Sequence, residues 1–344
     1  MQAAIFRGAF AIQVEQIPDA AILEPTDAVV QITHACICGT DLWPYRGQGP
    51  YQPGWQIGHE WMGMVMDVGS EVRTIKRGDR VIASYDFCDG TCEFCQKGLD
   101  SACVQGGVWG FGHEGGQAEA IRARFADATL VVIPPSIEGD EAMLKAILPL
   151  TDVMAAGHHA AVTAGVRPGG SVVVIGDGAV GLCATLAARR LGAGRIIALG
   201  HQPQRLTLAR QFGASEVIAS SGEQATQQVL EMTQGGAEAV LECVGTEESL
   251  TMAVNMCRPG GNVGFVGAPH GSGQLPLGRM FASNIGVRGG LAPARAYLPE
   301  LLEDVLAGRL DPSPILDFTV SLSEVASGYR AMDQRQAIKA LVRP

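Results

Sequence analysis

Cys38, in the run Cys38-Gly39-Thr40-Asp41, and His59, in Gly58-His59-Glu60, stand 21 positions apart. Thiolate and imidazole are ligands that a borderline-soft ion such as Zn²⁺ takes, and a catalytic zinc uses three protein ligands and keeps a fourth position open. Either residue alone reads equally as a buried thiol or a hydrogen-bonded core histidine. A second group, Cys88, Cys92, Cys95 and Cys103, crowds one short stretch, while Cys183 and Cys243 lie in apolar runs. That distribution points to a metal loop plus buried thiols rather than a disulfide framework. Further on, Gly176-Asp177-Gly178-Ala179-Val180-Gly181 fits G-x-G-x-x-G, the fingerprint of a dinucleotide site.

The elements around these residues change character along the chain. Residues 28–33, 61–68 and 80–83 read as short strands with Gly58, Gly69 and Gly78 between them, a β-rich, barrel-like pattern. From 152 to 164 the pattern is helical. Strand 171–175 then leads through the glycine loop into helix 180–191. Strand and helix units follow at 195–199, 203–212, 216–218, 225–233, 239–242 and 262–266. Such alternation predicts a doubly wound parallel sheet. Helices at 297–307 and 322–334 and a strand at 338–342 close the chain, and this tail is expected to return to the first domain. The domains are thus 1–152 with 291–344, and an inserted 153–290.

The 344 residues suffice for two sizeable cores, and 47% hydrophobic with 17% charged residues suits a globular enzyme. A net charge of −10 without a Lys/Arg-rich run excludes a nucleic-acid partner. The start Met1-Gln2-Ala3-Ala4-Ile5-Phe6-Arg7 lacks the basic head and apolar stretch of a signal peptide, and no segment has the length of a membrane span. A cytoplasmic protein is expected, with no internal repeat.

In the fingerprint, Gly176 permits the tight turn, Gly178 lets the backbone approach a pyrophosphate, and Gly181 lets helix and sheet pack closely. The helix N-terminus adds N–H donors and partial positive charge. An NAD site places Asp or Glu at the end of the second strand to take the ribose 2′-hydroxyl. Here that position is Gly200, followed by His201-Gln202-Pro203-Gln204-Arg205. With no carboxylate there to repel a 2′-phosphate, and with His201 and Arg205 able to bind one, NADP(H) is expected in preference to NAD(H). The alternative is a solvated Arg205 and use of both cofactors.

Cys38, Thr40, His59 and Glu60, with the cysteine loop and the fingerprint, resemble the zinc-dependent medium-chain alcohol dehydrogenases over essentially the whole chain. Leu150-Thr151-Asp152-Val153-Met154 and Gly157-His158-His159-Ala160 are similar to the formaldehyde-dehydrogenase-like branch of that medium-chain dehydrogenase/reductase superfamily. The resemblance implies a GroES-like catalytic domain carrying an inserted Rossmann domain, with Asp152 as third catalytic ligand and Glu60 as an outer or transient one. Thiolate, neutral imidazole and carboxylate carry two negative charges, leaving zinc electrophilic enough to acidify an alcohol. The Thr40 hydroxyl takes the alcohol proton. Relatives carry a histidine three residues later; here Trp43 stands there, so the relay ends at the cofactor ribose, at water, or at another side chain such as His158. The long insertion of the dismutating members is absent, and permanent cofactor retention is not implied.

The family's structural zinc lobe matches Cys92, Cys95 and Cys103, and places its first ligand three residues before Cys92, at Asp89. Spacing favours Asp89; Cys88 is the alternative, since Cys₄ sites are common. A metal-free lobe or a disulfide is the structural reading. By family position Val180, Val244 and Val266 pack on the cofactor and Lys339 meets its pyrophosphate. Trp43, Tyr85 and Trp109 narrow the substrate pocket or fill the core. The expected protein is a zinc-dependent alcohol dehydrogenase or carbonyl reductase passing hydride between a small alcohol or carbonyl and NADP(H) or NAD(H), as a homodimer or homotetramer. A zinc-independent quinone or enone reductase of the superfamily, or a non-enzymatic cofactor-binding relative, are the other readings.

Overall fold

Strand Ala28–Cys36 buries Ala28, Val30 and Ile32 on one face, then Ala35 and Cys36 as it sinks into the interior. It is the axis of a seven-stranded sheet in the computed structural model, which describes residues 1–137, 139–269 and 274–344. The strands run in the order Phe318–Ser321, Ala340–Arg343, Ala28–Cys36, Glu60–Val68, Arg80–Ala83 and Leu130–Val132, and Ala120–Ala123 also pairs with Ala28–Cys36. Ile32, Trp61, Val81, Ile121, Leu130, Tyr329 and Val342 share its core. The antiparallel pairing of Ala28–Cys36 with Glu60–Val68 ends at Cys36 opposite Glu60.

The chain divides into Met1–Asp152 with Pro293–Pro344, and Val153–Ala292. The tail rejoins the first sheet because Leu341 pairs with Cys36 and Val342 with Ala35. One buried ion pair accompanies that pairing. Lys339 Nζ lies 2.7 Å and 2.6 Å from the two oxygens of Glu60 and donates to the Ile37 carbonyl at 3.2 Å. Neither side chain is exposed.

Val153–Ala292 forms a six-stranded parallel sheet in the order Glu216–Ile218, Arg195–Leu199, Ser171–Ile175, Ala237–Glu242, Cys257–Phe265 and Gly286–Gly289. Counted along the chain this is 3-2-1-4-5-6, the doubly wound dinucleotide order. Its inner strands are near-continuous apolar runs because both faces are covered. Val173, Ile197, Val240 and Val263 lie in that core.

Local differences from the sequence reading have local causes. Strand Gly286–Gly289 has a single aliphatic side chain, Val287, and so no readable period. The strand expected at 262–266 spans Cys257–Phe265 and begins before Pro259, Gly260 and Gly261. The helix expected at 322–334 opens as a 3₁₀ turn, Leu322–Glu324, before Val325–Asp333. Among the described residues no helix is long and apolar enough to cross a membrane.

Removing one partner of a buried ion pair leaves an uncompensated charge and costs about 3–5 kcal/mol. Lys339→Met should therefore destabilise the first unit by about that much, and adding Glu60→Gln should recover part of the loss. All four tryptophans lie in residues 1–152, so urea unfolding followed by tryptophan fluorescence reads the first unit.

Candidate functional site

The strand register that pairs Cys36 with Glu60 brings Cys38, two residues past one strand, against His59, one residue before the other. Asp152 joins them from the end of the 3₁₀ turn Leu148–Thr151. Cys38, His59, Glu60 and Asp152 each offer a ligand atom, all within 4.8 Å of one another. Asp152 Oδ2 lies 3.1 Å from Cys38 Sγ and 3.3 Å from His59 Nε2. On the other side of the ring, His59 Nδ1 lies 3.3 Å from Asp41 Oδ1. Asp41 is fully buried and accepts the Cys38 N–H at 2.9 Å and the Tyr51 O–H at 2.7 Å.

The electrostatics of the cluster are those of a site built for a cation. Burial, then the Asp152 carboxylate, push the Cys38 thiol up to about 12. Burial would lower the His59 imidazole, but Asp41, Cys38 and Asp152 outweigh it and hold it well above its ordinary value. Burial would raise Asp152, but His59 pulls it below the usual carboxylate range. Protons thus sit where a divalent ion would neutralise the same charges. His59 Nδ1 is buried without a well-aligned hydrogen bond, although Asp41 is within ion-pair distance. With a metal ion bound, a neutral ring would donate its Nδ1 proton to Asp41 and leave its Nε2 lone pair for the ion, which would settle that atom. The donor set fits zinc.

A second cluster, Asp89, Cys92, Cys95 and Cys103, meets the same 4.8 Å criterion. Asp89 accepts the N–H groups of Thr91 at 2.8 Å and Cys92 at 2.9 Å, and donates its own to Cys103 Sγ at 3.2 Å. These amides outweigh its slight burial and hold the carboxyl at about 2. Cys88 is buried away from the cluster, with Sγ 3.8 Å from the Ala128 carbonyl. Cys92 and Cys95 sulfurs are 3.5 Å apart, far beyond the roughly 2.05 Å of a disulfide.

The fingerprint glycines have separable roles. Gly176 has φ +116°, a Cβ on Gly181 would fall 1.9 Å from the Gly176 carbonyl oxygen, and one on Gly178 would meet nothing within 4 Å. The open space at Gly178, the N-cap of helix Ala179–Arg190, is the cradle a pyrophosphate fits. Val180 and Val266 are half-buried and Val244 is exposed. The end of strand Arg195–Leu199 departs from expectation, because it does have a carboxylate. Asp177 Oδ2 accepts the N–H groups of His201 at 2.7 Å and Gln202 at 2.8 Å. His201 is exposed and Arg205 half-buried.

Two expected site residues are elsewhere. Lys339 is sealed against Glu60 and Ile37 and presents no ammonium to a pyrophosphate. Trp109 is fully buried, donates Nε1–H to the Ser84 carbonyl at 3.0 Å and packs on Trp61 and Phe87 with ring centres 5.6 Å and 4.8 Å away, so it fills the core. Tyr85 is also buried, and its backbone N–H donates to the Thr151 carbonyl beside Asp152. Thr40 is exposed and Trp43 half-buried, in the short helix Leu42–Tyr45. Asp41 was missed, though it stands inside Cys38-Gly39-Thr40-Asp41; a carboxylate near a ligand histidine is the signal that could have found it.

Residues 24–135 match the alcohol dehydrogenase GroES-like domain and residues 179–307 the zinc-binding dehydrogenase domain. An uncharacterized zinc-type alcohol dehydrogenase-like protein of Bacillus subtilis is 33% identical over 100% of both chains. A probable zinc-binding alcohol dehydrogenase of Mycobacterium tuberculosis is 35% identical, over 100% of this chain and 89% of that one. The solved alcohol dehydrogenase TADH from Thermus sp. ATN1 superposes with a TM-score of 0.93 at 33% identity, covering 100% of this chain and 99% of that one. The chain belongs to the zinc-dependent medium-chain alcohol dehydrogenase family.

Zinc uptake must displace the protons of Cys38 and His59, so affinity falls as pH falls, by about tenfold per pH unit for each proton displaced. Competition with a fluorescent chelator between pH 6 and pH 8 reads the slope. Asp41→Asn should weaken zinc at this site about 10–100-fold, and Cys92→Ser should lower the zinc content by one equivalent without moving that affinity.

Proposed function

We propose that this chain interconverts alcohols and aldehydes or ketones at a zinc ion held by Cys38, His59 and Asp152, with NADP(H) used in preference to NAD(H). The observation that carries the reading is the cluster of buried Cys38 and His59 with half-buried Asp152, ligand atoms within 4.8 Å of one another. Zinc, when bound, supplies Lewis acidity to a substrate oxygen, and the nicotinamide supplies the hydride exchange. Cys38 and Asp152 contribute two negative charges and His59, oriented by Asp41, none. Thr40 takes the proton of the substrate hydroxyl, and Trp43 narrows the approach to it. Glu60 stays behind the ligands, neutralised by Lys339. Asp89, Cys92, Cys95 and Cys103 would hold a second zinc, and four protein donors would leave a substrate no place on it, so its role would be structural.

His201 and Arg205 support the preference for a 2′-phosphate, with Asp177 opposing it. The edge position of strand Gly286–Gly289 and the exposure of Leu277 at 68% and Phe281 at 90% support a homodimer or homotetramer. The acidic composition and the lack of a membrane-length apolar helix among the described residues support a cytoplasmic setting.

Chelation should abolish turnover of a panel of primary and secondary alcohols, polyols and aldehydes, and zinc should restore it. Full activity in metal-free protein would overturn the proposal. Thr40→Val should lower kcat by about 10²–10⁴-fold, while Thr40→Ser should stay within about tenfold of the parent.

A further inference from the structure

Asp177 is the second residue of the fingerprint, a position for which G-x-G-x-x-G asks nothing in particular. Its side chain crosses from the end of strand Ser171–Ile175 to the end of the neighbouring strand Arg195–Leu199, where Oδ2 takes the amides of His201 and Gln202. A side chain on Gly200 would begin 2.4 Å from Asp177 Cβ and 2.7 Å from Asp177 Oδ2. The volume that an acidic residue at the strand end would enter is therefore already filled, by a carboxylate supplied from the adjacent strand. This accounts for Gly200: any larger residue there would displace Asp177.

We infer that Asp177 is a specificity-determining residue of the dinucleotide site, replacing the missing strand-end carboxylate, accepting the ribose 2′-hydroxyl and opposing a 2′-phosphate. The inference rests on the dinucleotide reading given above. Both amide bonds fall on Oδ2, which leaves Oδ1 as an acceptor for a hydroxyl. The same two amides lie at the N-terminus of helix Pro203–Gln211, where Gln202 is the N-cap, and are donors a phosphate would otherwise use. Asp177 thus acts against a 2′-phosphate twice, by its charge and by occupying those donors. His201 and Arg205 act in the opposite direction. The choice between NAD(H) and NADP(H) is set by the balance of one anion against two basic side chains.

Asp177→Asn keeps size and a carbonyl acceptor for the two amides and removes the charge. Asp177→Ser removes the carboxylate and leaves a small hydroxyl. Dissociation constants for NADH and NADPH, read from the fluorescence of the reduced nicotinamide, and kcat/KM with both cofactors should be measured for parent and variants. The expected result is a tenfold or greater rise in the NADPH-to-NADH preference in both variants, with NADPH binding tighter and NADH weaker. Equal loss of both cofactors would make Asp177 only a brace for the turn and overturn the inference; so would an unchanged ratio. A parent enzyme that binds neither cofactor would overturn the dinucleotide reading, and the inference with it.

Discussion

The ion pair between Lys339 and Glu60 is the interaction on which the metal centre depends. Cys38, Asp41, Glu60 and Asp152 bring one thiol and three carboxyl groups together, and His59 and Lys339 are the basic groups set against them. Moving an isolated charge of this kind out of water costs several kcal/mol even after relaxation. Burial pushes Glu60 above the usual carboxylate range, and Glu60 in turn holds the Lys339 ammonium above its ordinary value despite burial. The lysine comes from 279 positions further along the chain. The anionic end of the first sheet is therefore complete only once the C-terminal tail has returned, and the return of the tail is a condition of the site as well as of the fold.

Strand register does the rest of the positioning. With Cys36 opposite Glu60, the next residues on each chain, including Cys38 and His59, emerge at the same end of the sheet. A slip of one residue would turn one of them to the other face. Two irregularities in that ladder, at Val29/Val30 and Ile32/His34, bend the strand while preserving the pairing at its end. Asp152, the last residue of the first unit's N-terminal segment, has φ −148° and ψ −76° and stands outside the helix that follows. The reading of 152–164 as one helix was one residue too long at each end, and at the start that residue is the candidate ligand.

The legible parts of the sequence were those in which a residue's role follows from its neighbours along the chain. Motif spacing assembled the glycine loop and periodicity ordered the strand–helix units, because turn chemistry and periodicity are local, while Cys38 and His59 were joined through the family resemblance. What escaped depended on side chains meeting across strands. Lys339 looks like any cation near a C-terminus until the tail pairs beside Cys36. Trp109 cannot be told from a pocket residue until Trp61 and Phe87 are seen to enclose it. The reading of Gly200 as a position without a carboxylate was correct for that residue and wrong for the space around it, which Asp177 fills from the next strand.

The choice between Asp89 and Cys88 shows how the two metal clusters differ in what holds them. Adjacent residues in extended chain point to opposite sides, so one of the two must face the cysteines and the other the interior. The interior has room for the apolar thiol of Cys88, and burial pushes that thiol up to about 12. Asp89 keeps its charge because two neighbouring amides, those of Thr91 and Cys92, donate to its carboxylate, while its own amide donates to Cys103 Sγ. The helical turns of this lobe, Glu93–Gln96 and Asp100–Ala102, bury no apolar side chain, and Asp100 is fastened outside it by the Arg295 amide at 3.1 Å. These turns thus add no hydrophobic core to the lobe, where the candidate ligands Asp89, Cys92, Cys95 and Cys103 converge instead. The cluster of Cys38, His59, Glu60 and Asp152 is held the other way round, by a core and a buried ion pair that bring its donor atoms together.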